Sequence, residues 1–177
     1  DLLLSPEIDA AVCVLDWRSV AAQGMPVDRC DVLVLLDADE PTGGAASSDP
    51  ARVDEIDSRQ AAVRAMLRAV PPAGAIVVAA ADVGMVGGIH ADVANLIVID
   101  DAPANAPARA GAAVRRVGIE DGHVVCTQGG STAAVVAVAG LPSAASTAAR
   151  AATVAAVGGG LGLGLPMDAI RSALAGV

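Results

Sequence analysis

The chain alternates strand-length apolar runs with polar breaks that carry Gly or Pro. Residues 32–36 (Val-Leu-Val-Leu-Leu) form a continuous apolar run, with acids before it and Asp- and Gly-rich sequence after it. Such a run predicts a strand buried on both faces, as in a parallel sheet covered by helices. Residues 8–15 predict an earlier buried strand. A short helical crossover over 16–23, closed by Gly24 and Pro26, joins the two. After a Gly/Ser/Ala loop over 41–50, Asp49 and Pro50 mark a helix start, with Asp54 and Glu55 in the early turns. That helix is expected to reach about Val70, with Val53, Ile56, Ala62, Val63, Met66 and Leu67 inward. Arg59, Arg64 and Arg68 lie toward its C-terminal half, and Pro71-Pro72 ends it. Residues 75–80 and 96–99 predict two more strands, with a short glycine-rich helical stretch over 83–90 between them.

After Asp100-Asp101 the texture changes. A Pro/Ala loop over 102–110 leads into a hairpin, residues 113–119 and 123–127, joined by the turn Glu120-Asp121-Gly122. Residues 134–139 predict a further short strand. An Ala-rich helix is expected over 148–164, weakened by Gly158-Gly159-Gly160. Pro166 then caps a last helix over 167–175, with Ile170, Ala173 and Leu174 on its apolar face. The fold class is therefore α/β: a mostly parallel sheet flanked by helices, with a small antiparallel β subdomain. The whole of 1–177 reads as one unit, in which about 102–140 is a β-rich appendage.

Composition sharpens this. The chain is 54% hydrophobic yet has no Phe, no Tyr and one Trp. Its core must be built from Val, Leu, Ile and Ala, and only Trp17 could stack on a base or a sugar. A net charge of −9 argues against a nucleic-acid partner, whose phosphates need clustered cations. Cys13, Cys30 and Cys126 are far apart and follow no zinc spacing, so reduced, buried thiols in a cytoplasmic protein are expected. No apolar stretch reaches membrane-spanning length before Gly or a polar residue interrupts it, and no basic leader precedes Leu2. The chain also starts without Met, which reads as a piece of something longer.

Candidate chemistry is sparse. In open α/β sheets, ligands bind where the strands end. Asp37, Asp39 and Glu40 sit at that end of the 32–36 strand, although three acids beside Gly43-Gly44 also describe an ordinary surface turn. Asp100-Asp101 ends a later strand and suits a metal, a ribose or a cap. His90 lies near Asp92, and His123 follows the Asp-Gly turn on an exposed hairpin. The chain has no Gly-x-x-x-x-Gly-Lys-Ser/Thr loop, and Gly158 to Gly164 lie within or after a helix rather than at its start.

Taken in order, these segments resemble the Mur-ligase-type central domain of cyanophycin synthetase. Its D-x-A-V-x-E-T-A-R-G-G strand is similar to Asp9-Ala10-Ala11-Val12-Cys13-Val14-Leu15-Asp16-Trp17-Arg18-Ser19. Its G-L-x-F-D-R-C-D-V stretch is similar to Gly24-Met25-Pro26-Val27-Asp28-Arg29-Cys30-Asp31-Val32. Its P-E-G-x-A-V-L-N-A-D-D-P turn is similar to residues 72–83, its hairpin to 112–126, and its closing A-L-G-x-x-x-E-x-I-R-x-G-L to 162–174.

The resemblance implies an ATP-dependent, magnesium-assisted amino-acid ligase that works through an acyl phosphate, with its phosphate loop before Asp1. Carried over residue by residue, the metal-binding glutamate falls on Val14, and the Arg-Gly-Gly after it on Trp17, Arg18 and Ser19. The strand-end asparagine falls on Asp37, and the Asp-His pair on Pro41 and Thr42. The helix lysine falls near Val63, and the two asparagines of the penultimate helix near Ala149 and Ala152. The Asn-Ala-Asp-Asp turn keeps only Asp82. This pattern implies a fold kept without its chemistry: a degenerate domain, structural and not catalytic by itself, whose partners are other domains of a longer chain or further subunits of a homo-oligomer. Two alternatives stand beside it. One is part of an active ADP-forming amide ligase whose phosphate loop lies outside this chain. The other is a non-catalytic small-ligand or protein-binding module. Asp37, Asp39 and Asp82 are the nucleotide- or ligand-binding candidates. No catalytic or metal-binding residue is assigned; ATP and Mg2+ are implied by the family alone.

Overall fold

The computed structural model describes residues 10–36, 50–84, 86, 95–100, 114–141 and 146–176. In chain order the elements are α1 (Trp17–Gln23), β1 (Val32–Leu35), α2 (Pro50–Arg68), β2 (Ala75–Ala79), β3 (Asn95–Asp100), β4 (Arg115–Glu120), β5 (His123–Gln128), β6 (Ser131–Ala137), α3 (Thr147–Gly162) and α4 (Met167–Ala175). The strands form one six-stranded sheet in sequential order, β1 to β6. β1 through β4 run parallel, while β4, β5 and β6 run antiparallel. The α/β class expected from the sequence is what the chain adopts.

Side-chain alternation divides the core between the two faces of the sheet. On one face Leu35, Ile76 and Val78 pack against Ala62, Val63, Met66 and Leu67 of α2 and Val20 of α1. Those α2 residues recur at helical spacing, so they form one stripe. On the other face Val77, Ile97, Ile99, Val117, Val124 and Cys126 pack against Val154, Ala155, Val157 and Leu161 of α3 and Ile170 of α4. Each such Val, Leu, Ile or Met side chain contributes roughly 1.5–3 kcal/mol when fully buried. β2 is covered on both sides, and Ile76, Val77 and Val78 have no accessible surface.

One expectation is corrected. The described part of the 8–15 run, residues 10–15, forms no strand, and Val12 and Val14 are almost fully exposed. An apolar run gains nothing from extended structure unless a neighbour supplies ladder bonds and burial. Among the described residues β1 is the edge of the sheet, and both of its faces are covered: Leu35 is buried against α2, while Val32 packs under α3. β4 pairs in parallel with β3, from Ile97↔Arg115 to Asp100↔Gly118, so the antiparallel strands continue the same sheet.

The hairpin turn is as the sequence indicates. Asp121 (φ 48°) and Gly122 (φ 74°) both take the left-handed conformation that a two-residue turn of this kind requires. α1 is capped by the Asp16 carboxylate, which accepts from the Ser19 N–H, and α3 by the Ser146 hydroxyl, which accepts from the Ala149 N–H.

The glycine-rich helix runs on through Gly162. A methyl on Gly158 would lie 2.7 Å from Val77 Cγ1, and one on Gly162 would lie 3.0 Å from Val32 Cγ1. The glycines let α3 press onto the sheet, and the packing outweighs their poor helix propensity. No helix among the described residues is long and apolar enough to cross a membrane.

Candidate functional site

The parallel strands deliver their C-terminal ends to one rim of the sheet, where the acidic candidates were sought. Asp37 and Asp39 lie outside the described residues, as do His90 and Asp101. Asp82 closes the single 3-10 turn, Ala80–Asp82, that follows β2. It is 7% exposed, one of two buried polar residues, with Thr153, among the described residues. Among the described residues no hydrogen bond reaches its Oδ2, although the residue itself is engaged within the fold. Asp100 ends β3 on the same rim, half-buried and likewise engaged. Among the described residues no three His, Cys, Asp or Glu side chains come together as a metal site.

A second cluster was not assembled by sequence reasoning. An open groove of about 530 Å3 between α1 and α2 is lined by Trp17, Arg18, Asp54, Glu55 and Ser58. The Arg18 guanidinium lies 4.6 Å from the Trp17 ring centroid and donates to Glu55 Oε1 at 2.8 Å. The one aromatic ring able to stack on a ligand is thus covered by the chain's own cation. Residues 16–23 were legible as a helix; the pairing with Glu55, 37 positions away, had no signal in the pattern. An exposed pair like this contributes about 0–1 kcal/mol and serves chiefly to tie α1 to α2.

The remaining reactive side chains are placed structurally. Cys126 is buried in the α3 face of the sheet, and burial pushes its thiol pKa up while nearby Arg115 pulls it partly back. Cys30 is half-buried; burial first, and then the Asp31 carboxylate, raise its pKa. Cys13 is exposed, against the expectation that the thiols are buried. All three are free. His123 is exposed on the hairpin as expected, with Nδ1 3.0 Å from the Asp121 carbonyl oxygen. The gap under the hairpin, lined by Ile119, Val124, Val138, Leu141, Arg150 and Thr153, has no room for a water molecule.

Two carry-over positions are instructive. Val63, where the resemblance puts a lysine, belongs to the core between α2 and the sheet. Val14, where it puts a metal-binding glutamate, points a hydrocarbon side chain into solvent. The side chains at these positions do not fit Mg2+ or the phosphates of ATP, since neither valine offers a donor atom. No protein-family model matches the chain, and no curated protein matches it.

Proposed function

We propose that this chain is a degenerate Mur-ligase-like domain of a cyanophycin-synthetase-like protein, acting structurally to hold neighbouring domains or subunits in place. The observation that carries this reading is Val63. It is 5% exposed and packed among Val20, Met66, Leu67 and Ile76, so the position expected to present a lysine to a ligand serves the core instead. The α/β sheet with helices on both faces supports the reading at the level of architecture. Substitutions at polar site positions, with the strand and helix pattern retained, are what loss of chemistry under continued selection for packing leaves behind.

One observation favours a second reading, an active ligase completed by segments outside this chain. Asp82, the residue kept from the Asn-Ala-Asp-Asp turn, is buried beside the C-terminal rim of the sheet. Calorimetric titration with Mg-ATP separates the two. It is to be done on this chain and on the longest natural protein that contains it. The structural reading expects no heat of binding from either. Saturable binding by the longer protein alone establishes the ligase reading. Binding by this chain itself would mean that Val14 and Val63 are not the positions that matter.

A further inference from the structure

We propose that the outer edge of β1 is an interface between two copies of this chain, the two edges pairing antiparallel across a two-fold axis. The proposal rests on the structural role proposed above and names the surface that would carry it.

The two edges of the sheet are treated differently. At β6, Arg171 of α4 donates from Nη2 to the Ala134 carbonyl at 2.6 Å and from Nε to the Val135 carbonyl at 3.3 Å. A charged fork laid along the strand blocks further pairing there. At the other end, no strand among the described residues lies beyond β1.

The exposed large apolar side chains follow the same asymmetry. Among the described residues they are Val34 and Leu36 at β1, Leu163 and Leu165 just after α3, and Val12 and Val14 on the segment leading into α1; exposure runs from 36% at Val34 to 95% at Val14. Val34 reaches toward Gly159 and Leu165 toward Gly160, so β1 and the end of α3 share one apolar surface. The four at β1 and the end of α3 expose on the order of 300 Å2, over a third of the ~800 Å2 per partner that a stable interface buries. A two-fold axis sets one strand edge antiparallel to its copy, so the same four residues supply donors and acceptors to both sides. A second copy therefore satisfies the edge and covers the patch with nothing beyond this chain. The net charge of −9 per copy opposes association, so screening by salt should tighten it.

Sedimentation equilibrium over a concentration series tests this, on the unaltered chain and on the single variants Val34→Lys and Leu165→Lys. The expected result is a species of twice the chain mass, tighter at high salt. Each variant should weaken it roughly tenfold or more, with far-UV circular dichroism unchanged. Leu165 lies outside the strand and is half-exposed, so Leu165→Lys still reads the interface if Val34→Lys disturbs β1. A monomer at all concentrations overturns the proposal. So does a dimer that neither variant weakens, or open-ended growth in place of a closed pair. These outcomes are separate from the nucleotide titration: ATP binding would end the structural role without dissolving the dimer, and a monomer would end the interface without creating nucleotide binding.

Discussion

Gly158 of α3 lies directly against Val77 of β2, with room for no more than a hydrogen between them: a built Cβ would stand 2.7 Å from Val77 Cγ1. Val77 is in the middle of β2, flanked by β1 and β3, and has no accessible surface, so it cannot retreat. Gly158→Ala should therefore destabilise by about 1–3 kcal/mol through overpacking, although alanine is the better helix former. Gly159 is the internal control. Its built Cβ meets only Val34 Cγ2, at an ordinary 3.5 Å. Gly159→Ala should be neutral or stabilise by up to about 1 kcal/mol through propensity alone. Urea unfolding of the two variants measures the difference, and equal effects would mean that α3 does not press on the sheet at Gly158.

Arg171 ties α4 to the β6 edge through two backbone carbonyls and also meets Asp168 Oδ1 at 2.8 Å. The carbonyl bonds and the ion pair predict different losses. Arg171→Met keeps the stem and removes the donors, and should cost about 1–3 kcal/mol while increasing aggregation from the freed edge. Asp168→Asn removes only an exposed ion pair and should change stability by less than about 1 kcal/mol. Thermal melts with light scattering report both effects.

The elements that were legible in the sequence are those whose signal is local. β2 and β3 are uninterrupted Val/Ile runs, α2 has its stripe from Ala62 to Leu67, and the hairpin has Asp121-Gly122 between its strands. What was not legible depended on neighbours. Residues 8–15 carry the same local signal as 32–36, yet the described part of the first is exposed and the second pairs with β2, because only the second has a strand beside it. Gly158 to Gly160 read only as weakening the helix, since propensity is local and the approach to Val77 is not. The candidate site was legible only as a list of acids. Asp82 could be placed at a strand end, but its burial follows from packing around the turn after β2.

The turn between β4 and β5 offers a further test of local strain. Gly122 has φ 74° with open space where a Cβ would stand, so a side chain there meets no clash and only the backbone resists it. Gly122→Ala should cost about 1–2 kcal/mol, the penalty of a left-handed L-residue. Asp121→Gly should be close to neutral, because the lost left-handed strain offsets the gain in unfolded-chain entropy. Both follow from denaturant midpoints, and a neutral Gly122→Ala would mean that the turn re-forms with another geometry.

Alkaline stability should report the thiols almost alone, because the chain contains no Lys and no Tyr. Apart from the terminal amine, cysteine is the side chain left to titrate between about pH 8 and 11, as arginine keeps its proton throughout. Burial raises the pKa of Cys126 and Cys30 above the ordinary thiol value in the folded protein. The sign follows from which state releases its proton first. Above about pH 8.5 the unfolded chain loses thiol protons that the folded chain still holds, so the unfolded state binds fewer protons and stability falls as pH rises. The contribution is complete below the ordinary thiol pKa and is lost as pH climbs through the raised one. Urea midpoints measured from pH 7.5 to 10.5 should therefore decline for the natural chain, and Cys30→Ala with Cys126→Val should flatten the decline. Iodoacetamide at neutral pH should label Cys13 first, then Cys30, and Cys126 only on unfolding. A slope that survives loss of both shielded thiols would place the alkaline sensitivity in a titrating group other than Cys30 and Cys126.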